Sequence, residues 1–216
     1  HLMAPDSAAY NIATAVRLRG RFHPAALDAA FTEIVRRHEI LRTTFHMGAG
    51  GEPRQVVGAP QPFHVDVVEV DGPPGAALAL ADASAQQPFD LARGPLLRAT
   101  VFRFNANDHL VLMALHHIVT DAWSMGVLAR EIMAGYQAAL AGVPPKLPPL
   151  PIQFGDYAVW QRAALQGDMM ARDLAYWRAR LAGLSALPQL PLDHPRPGAQ
   201  TYHGAQASAD LDPDVL

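Results

Sequence analysis

The sequence predicts a layered α/β (α+β) sandwich in which helices cover a mixed β-sheet. Strand-like and helix-like periodicities alternate along residues 1–142. Half of the 216 residues are hydrophobic and 17% are charged, against roughly 25% in an average soluble domain, so one real core can be buried. No apolar run approaches the ~18 residues of a membrane span. The longest, residues 110–115, has the length of a strand.

The elements follow in order. Residues 11–18 are β-like. Pro24 suits the first turn of a helix, and Leu27, Phe31, Ile34 and His38 follow at helical spacing, which makes His38 an expected core histidine. Residues 40–46 alternate as a strand, with Leu41, Thr43 and Phe45 on one side and Arg42, Thr44 and His46 on the other. Gly48, Gly50 and Gly51 mark a turn. Residues 63–70 read as a further strand and residues 76–87 as a short Ala-rich helix. Residues 96–104 and 110–117 form an antiparallel hairpin across Asn105-Ala106-Asn107-Asp108. Residues 124–140 are a helix with Leu128, Ile132, Tyr136 and Leu140 on one face. Prolines, 19 in all, cluster at 143–151 and 188–197, where they favour extended connectors. These divide the chain into a body (1–142), a helical pair (152–183) and an extended tail (184–216).

Several function classes drop out. A net charge of -3 and a single lysine, Lys146, do not suit a grip on nucleic-acid phosphates. The absence of cysteine removes disulfides, thiolate zinc sites and a cysteine nucleophile. There is no G-x-S-x-G serine elbow and no phosphate-cradling glycine loop. No signal peptide is visible, so a cytoplasmic setting is expected. The chain opens on His1, so it is expected to begin inside a longer protein or after a cloning remnant.

The sharpest feature is His116-His117-Ile118-Val119-Thr120-Asp121-Ala122, where an apolar strand gives way to a helix. Alternation puts the two histidines on opposite faces, so that one imidazole can enter a cavity while the other packs. A neutral imidazole there can accept a proton near pH 7. The spacing alone leaves two readings open: an acid–base site, or structural histidines followed by Asp121 as a helix N-cap. Adjacent strand histidines diverge and no third ligand is near, so no metal is expected.

This stretch resembles the HHxxxDG motif of nonribosomal peptide synthetase condensation domains, members of the chloramphenicol-acetyltransferase-like superfamily. Four other segments agree: Arg37 to Phe45 with RHExLRTxF, Pro88-Phe89-Asp90-Leu91 with Gly94 to Arg98 (PFDL…GPLLR), Asp156 to Gln161 with DYAVWQ, and Tyr176-Trp177 with YWxxxL. The details look most like the subtype joining an L-configured donor to an L-configured acceptor. Ala122 stands where the family has glycine.

The resemblance implies a chloramphenicol-acetyltransferase-like N-terminal lobe over residues 1–183, and a 184–216 crossing segment toward a second lobe. It implies amide bond formation between thioesters on donor and acceptor peptidyl carrier proteins, with an adenylation domain in the same parent chain and this portion inactive alone. His117 would be the catalytic residue, and His116 would pack and orient the loop. Asp121 would form a structural ion pair with Arg42. No cofactor would bind tightly, phosphopantetheine arriving on the carriers, and neither nucleic acid nor membrane would be a partner. The rivals are an epimerisation domain, a free-standing coenzyme A-dependent acyltransferase and a catalytically silent docking module of the same fold.

Overall fold

The computed structural model describes residues 7–71, 74–184, 191–195, 197, 198, 207, 209 and 210. In order these give β1 (Asn11–Arg19), α1 (Pro24–Arg37), a 3-10 turn (Glu39–Arg42), β2 (Thr43–Met47), β3 (Pro53–Val57) and β4 (Asp66–Glu69). Then come α2 (Pro74–Ala85), β5 (Leu97–Asn105), β6 (Asp108–His116), α3 (Ala122–Leu140), α4 (Phe154–Ala164) and α5 (Gly167–Arg180).

The hairpin β5–β6 is the centre of the fold. Its two strands are apolar on both faces, as a sheet covered on both sides requires. Asn105 tightens the turn by accepting the N–H of Asn107 on its side chain at 2.9 Å. β1 adds antiparallel to β6, with Asn11 opposite His116, and β4 adds parallel to β5, so the sheet runs β1-β6-β5-β4. One face is covered by Leu27, Phe31 and Ile34 of α1 and Leu128 of α3, packed on Leu97, Val101 and Leu115. The other is covered by Ala77 and Ala81 of α2 on Phe102, Leu110 and Leu112. Fully burying a side chain such as Phe31 or Ile34 stabilises by about 1.5–3 kcal/mol. α1 and α3 approach closely at Gly135, where an added methyl carbon would lie 3.1 Å from the Ala30 Cβ. The mixed sheet between helical layers is the architecture that the alternating periodicities predict.

The alternating reading of residues 40–46 is corrected in its first half. Residues 39–42 form the 3-10 turn, closed by Leu41 N–H to the His38 carbonyl at 3.1 Å and by Thr43 Oγ1 to the Glu39 carbonyl at 2.7 Å. The turn buries Leu41 and sets Arg42 on the rim, which a strand would also do, so alternation alone could not distinguish them. β3, the partner of β2, has no counterpart in the sequence reading. All five of its residues are exposed, so it carries no apolar phase. The strand expected over 63–70 contracts to β4, and α3 begins two residues earlier than its apolar face, because its first turn is solvated.

The chain forms two compact units, residues 1–166 and 167–216. Among the described residues the first holds β1–β6 and α1–α4, and the second holds α5. The expected helical pair thus has one helix in each unit. In the first unit Arg37 donates to the Pro148 carbonyl. Gln153 ties the start of α4 to the end of α1, its Nε2 donating to the Arg37 carbonyl at 2.9 Å and its Oε1 accepting the Glu39 N–H at 3.1 Å. Gln153 and Asp156 form a capping box there. In the second unit α5 starts at Gly167, whose φ of +61° favours glycine. Most of the segment expected over 184–216 lies outside the described residues. Among the described residues no helix is long and apolar enough to cross a membrane.

Candidate active site

β6 ends at His116, a tight turn follows, and α3 starts at Ala122. The two histidines are separated by this geometry. His116 is 5% exposed, while His117 is exposed. The His116 N–H donates to the Leu96 carbonyl of the approach to β5, and the His117 N–H donates to the Tyr10 carbonyl just before β1. The corner is therefore held from the strands on both sides of β6. His116 Nδ1 accepts the Ile118 N–H at 3.0 Å. That nitrogen carries no proton, so the neutral ring has its hydrogen on Nε2. Its ring centre lies 6.1 Å from that of Tyr10 and 6.3 Å from that of Phe89, whose plane is perpendicular to it. Burial pulls the His116 imidazole below its ordinary value, and neighbouring positive charge acts in the same direction.

His117 lines a shallow cleft of ≈ 390 Å³ with Tyr10, Leu91, His116 and Ile118. Two larger cavities, of ≈ 550 and ≈ 440 Å³, lie elsewhere and include neither histidine. The first has a mixed lining that includes Arg42, Arg93 and Arg98. The second is apolar, between α1, α3 and the β1–β6 face. Of the three, the open cleft is the one that presents an imidazole at a rigid strand-to-helix corner.

Asp121 caps α3. Its Oδ1 accepts the Ser124 N–H at 2.8 Å and the Ser124 hydroxyl at 2.6 Å. These bonds, the hydroxyl first, hold its carboxyl below the usual carboxylate range. The expected ion pair between Asp121 and Arg42 is not formed. Arg42 instead pairs with Glu39 at 3.2 Å and donates to the Gly58 carbonyl. The physical reason is local. Ser124 satisfies the carboxylate one helical turn away, and the 3-10 turn brings Glu39 to Arg42 at three residues' separation. Ala122 is the first residue of α3 and has right-handed backbone, so the methyl that replaces the family's glycine is accommodated.

His38 is the C-cap of α1, and its Nε2 donates to Glu131 of α3 at 2.7 Å. Arg37 donates to the same oxygen at 3.0 Å. It is a partly buried polar pair rather than an apolar core contact. No apolar pattern could reveal Glu131 as its partner. Tyr10 and Leu91, two walls of the His117 cleft, were also missed as site residues. Leu91 belongs to a motif visible in the sequence, but its place beside His117 depends on strand pairing. Among the described residues no group of three or more His, Cys, Asp or Glu side chains could hold a metal ion.

Comparison with known proteins places the chain in a family. The model of the condensation domain matches residues 1–216. The chain is 40% identical over 219 residues to one of the proteins that make up the linear gramicidin synthase of Brevibacillus parabrevis, covering 99% of this chain and 3% of that one. It is 38% identical over 209 residues to phosphinothricin tripeptide synthetase PhsC of Streptomyces viridochromogenes, covering 94% of this chain and 19% of that protein. Among solved structures it resembles the X-domain in complex with OxyB from teicoplanin biosynthesis, with TM-score 0.79, 34% identity, and coverage of 87% of this chain and 42% of that one. It also resembles the starter condensation domain of rhizomide synthetase RzmA, with TM-score 0.75, 26% identity, and coverage of 86% and 45%.

Proposed function

The chain belongs to the condensation-domain family, and on that premise we propose that it carries the histidine corner of an amide-forming acyl transferase in nonribosomal peptide synthesis. The observation that carries this reading is the opposite fate of the two histidines: His116 buried and fixed, His117 exposed in a cleft. The chain spans only 3% of the gramicidin synthase protein and about two-fifths of the solved neighbours. On this reading it is one lobe of a two-lobed domain, residues 1–183 supplying that lobe and 184–216 leading away from it.

Donor and acceptor would arrive as thioesters on phosphopantetheine arms of two carrier proteins, with an adenylation domain in the same parent chain and a cytoplasmic setting. The acceptor amine attacks the donor carbonyl. A C–N bond forms, the C–S bond breaks, and the donor thiol leaves with the proton that the amine gives up. His117 would hydrogen-bond the amine, take that proton as the tetrahedral intermediate collapses, and return it to the departing thiolate. His116 would hold the corner, its Nδ1 engaged with the Ile118 N–H. Much of the rate would come from holding amine and carbonyl together. The motif details favour an L-configured donor and an L-configured acceptor.

A second reading has one observation behind it. The X-domain neighbour is seen in complex with OxyB, which suggests a silent docking module. Against it stands the retained and outward-facing His117, which such a module has no need to keep. The test is His117→Ala in a full condensation domain carrying this chain, assayed by single-turnover peptide formation on loaded carriers. Turnover should fall about 10²–10⁴-fold, the range for loss of a general acid–base group, with an unchanged circular dichroism spectrum. Wild-type turnover in the variant would remove His117 from the mechanism.

A further inference from the structure

The stretch from Phe89 to Arg98 is a distinct motif with no part in the chemistry above. Arg98 stands on β5 opposite Ala114 of β6. Its Nη2 donates to the backbone carbonyl of Gln87, and its Nη1 donates to Gln87 Oε1 at 3.3 Å. Its guanidinium carbon lies 3.9 Å from the centre of the Phe89 ring. Burial pulls this guanidinium below its ordinary value. The partly buried cation is therefore held against a backbone carbonyl and a ring face at the wall of the larger cavity.

The Gln87 carbonyl is gripped from a second strand. Asn11 Nδ2 donates to it at 2.8 Å and to the Ala85 carbonyl at 2.7 Å, and Asn11 is the β1 residue opposite His116. Beyond this double grip the chain runs directly into the site. Phe89, 4% exposed, packs perpendicular to the His116 ring. Leu91 lines the His117 cleft, and its carbonyl accepts the Phe45 N–H at 2.8 Å. Asp90 turns the chain by accepting the N–H groups of Ala92 and Arg93 at 2.9 and 3.1 Å. Gly94, at φ +63°, then leads it back into β5.

We propose that Arg98 is a positioning residue for the histidine corner: it clamps residues 87–91 so that Phe89 fixes the His116 ring and Leu91 closes one side of the His117 cleft. Only arginine does both parts of this task. Its planar fork donates from both terminal nitrogens to Gln87 while the guanidinium lies over the Phe89 ring. Lysine can keep the charge over Phe89 but cannot reproduce the fork. The kinetic consequence rests on the reading of His117 given above; the structural consequence does not.

The test therefore has two arms. In the 216-residue chain with isotope-labelled histidine, the His116 ring signals are followed by NMR. Arg98→Met should shift them, and Arg98→Lys should shift them less. Arg103→Met, also on β5, which breaks a surface pair with Glu69 of β4, should leave them in place. In a full condensation domain, Arg98→Met should lower kcat about tenfold or more, as small misplacements near a reacting centre do, with KM for the loaded carriers close to wild type and partial rescue by lysine. Unmoved His116 signals in a folded Arg98→Met chain would overturn the proposal. So would shifted signals with unchanged kcat, since Arg98 would then be structural only. If Arg98→Met does not fold, Phe89→Leu keeps apolar volume and removes the ring, and unmoved His116 signals there would overturn it equally. Should His117→Ala prove fully active, the NMR arm still decides whether Arg98 holds the corner.

Discussion

Glu131 offers a quantitative test of how α1 and α3 are joined. It is 9% exposed on α3, and its Oε2 accepts from Arg37 at 3.0 Å and from His38 at 2.7 Å. The Arg37 side chain is only 10% exposed. At 3.0 Å and an effective dielectric of about 20, the charge pair is worth about 5–6 kcal/mol of gross Coulomb energy. Desolvation of both ions cancels much of that, so the intact pair contributes little net. Removing one partner is different, because the other is left buried and uncompensated, at a typical cost of about 3–5 kcal/mol. Glu131→Gln should fall near about 3 kcal/mol, since its amide oxygen still accepts one bond and Arg37 keeps the Pro148 carbonyl. Glu131→Leu should lie at the upper end. With a urea m-value of about 2 kcal/mol/M, the glutamine variant should lower the denaturation midpoint by about 1.5 M. Adding Arg37→Met to Glu131→Leu should cost less than the sum of the single losses, with a coupling of about 0.5–3 kcal/mol. Midpoint shifts below about 0.3 M for both single variants, or fully additive losses, would refute the buried pair.

Two further outcomes concern the histidine corner. The unfolded His116 imidazole titrates at about 6.5, and burial places the folded one lower. Between these values the unfolded chain binds more protons, so stability is full above about pH 6.5 and falls as pH drops toward the folded value. Urea midpoints at pH 7.5 and pH 5 should therefore differ less in His116→Gln than in the wild type, and an equal loss in both would exclude this histidine as the cause. Asp121→Asn should leave the midpoint near wild type, because asparagine caps a helix as well as aspartate does. Combining it with Arg42→Leu should give additive shifts, and strong coupling would restore the ion pair that the structure replaces with a cap.

What the sequence made legible was local. Leu27, Phe31 and Ile34 mark α1 because apolar periodicity carries its own phase, and that phase also says which face meets the sheet. β5 and β6 were legible because one turn joins them and both are apolar. The misses share a cause. β3 pairs with β2 through the backbone ladder and buries none of its own side chains, so it has no phase to read. Arg42 offered a charge but not a partner, and the backbone turn that chose Glu39 over Asp121 is invisible to alternation. Glu131 and His38 meet across 93 positions, and neither residue announces the other.

Partner choice among polar groups depends on which carbonyls and N–H groups the backbone leaves free, and these are settled only when the strands pair. Arg98 shows the consequence for the site. Its motif can be read from the sequence, but a role follows only once β5 has placed it beside the Gln87 carbonyl, with Asn11 of β1 on the other side. The same hydrogen-bond ladder that builds the core thus assigns the polar residues around His117. A substitution that shifts the β1 register by one residue should therefore disturb the His116 ring as surely as one at Phe89, because Asn11 would no longer stand opposite it.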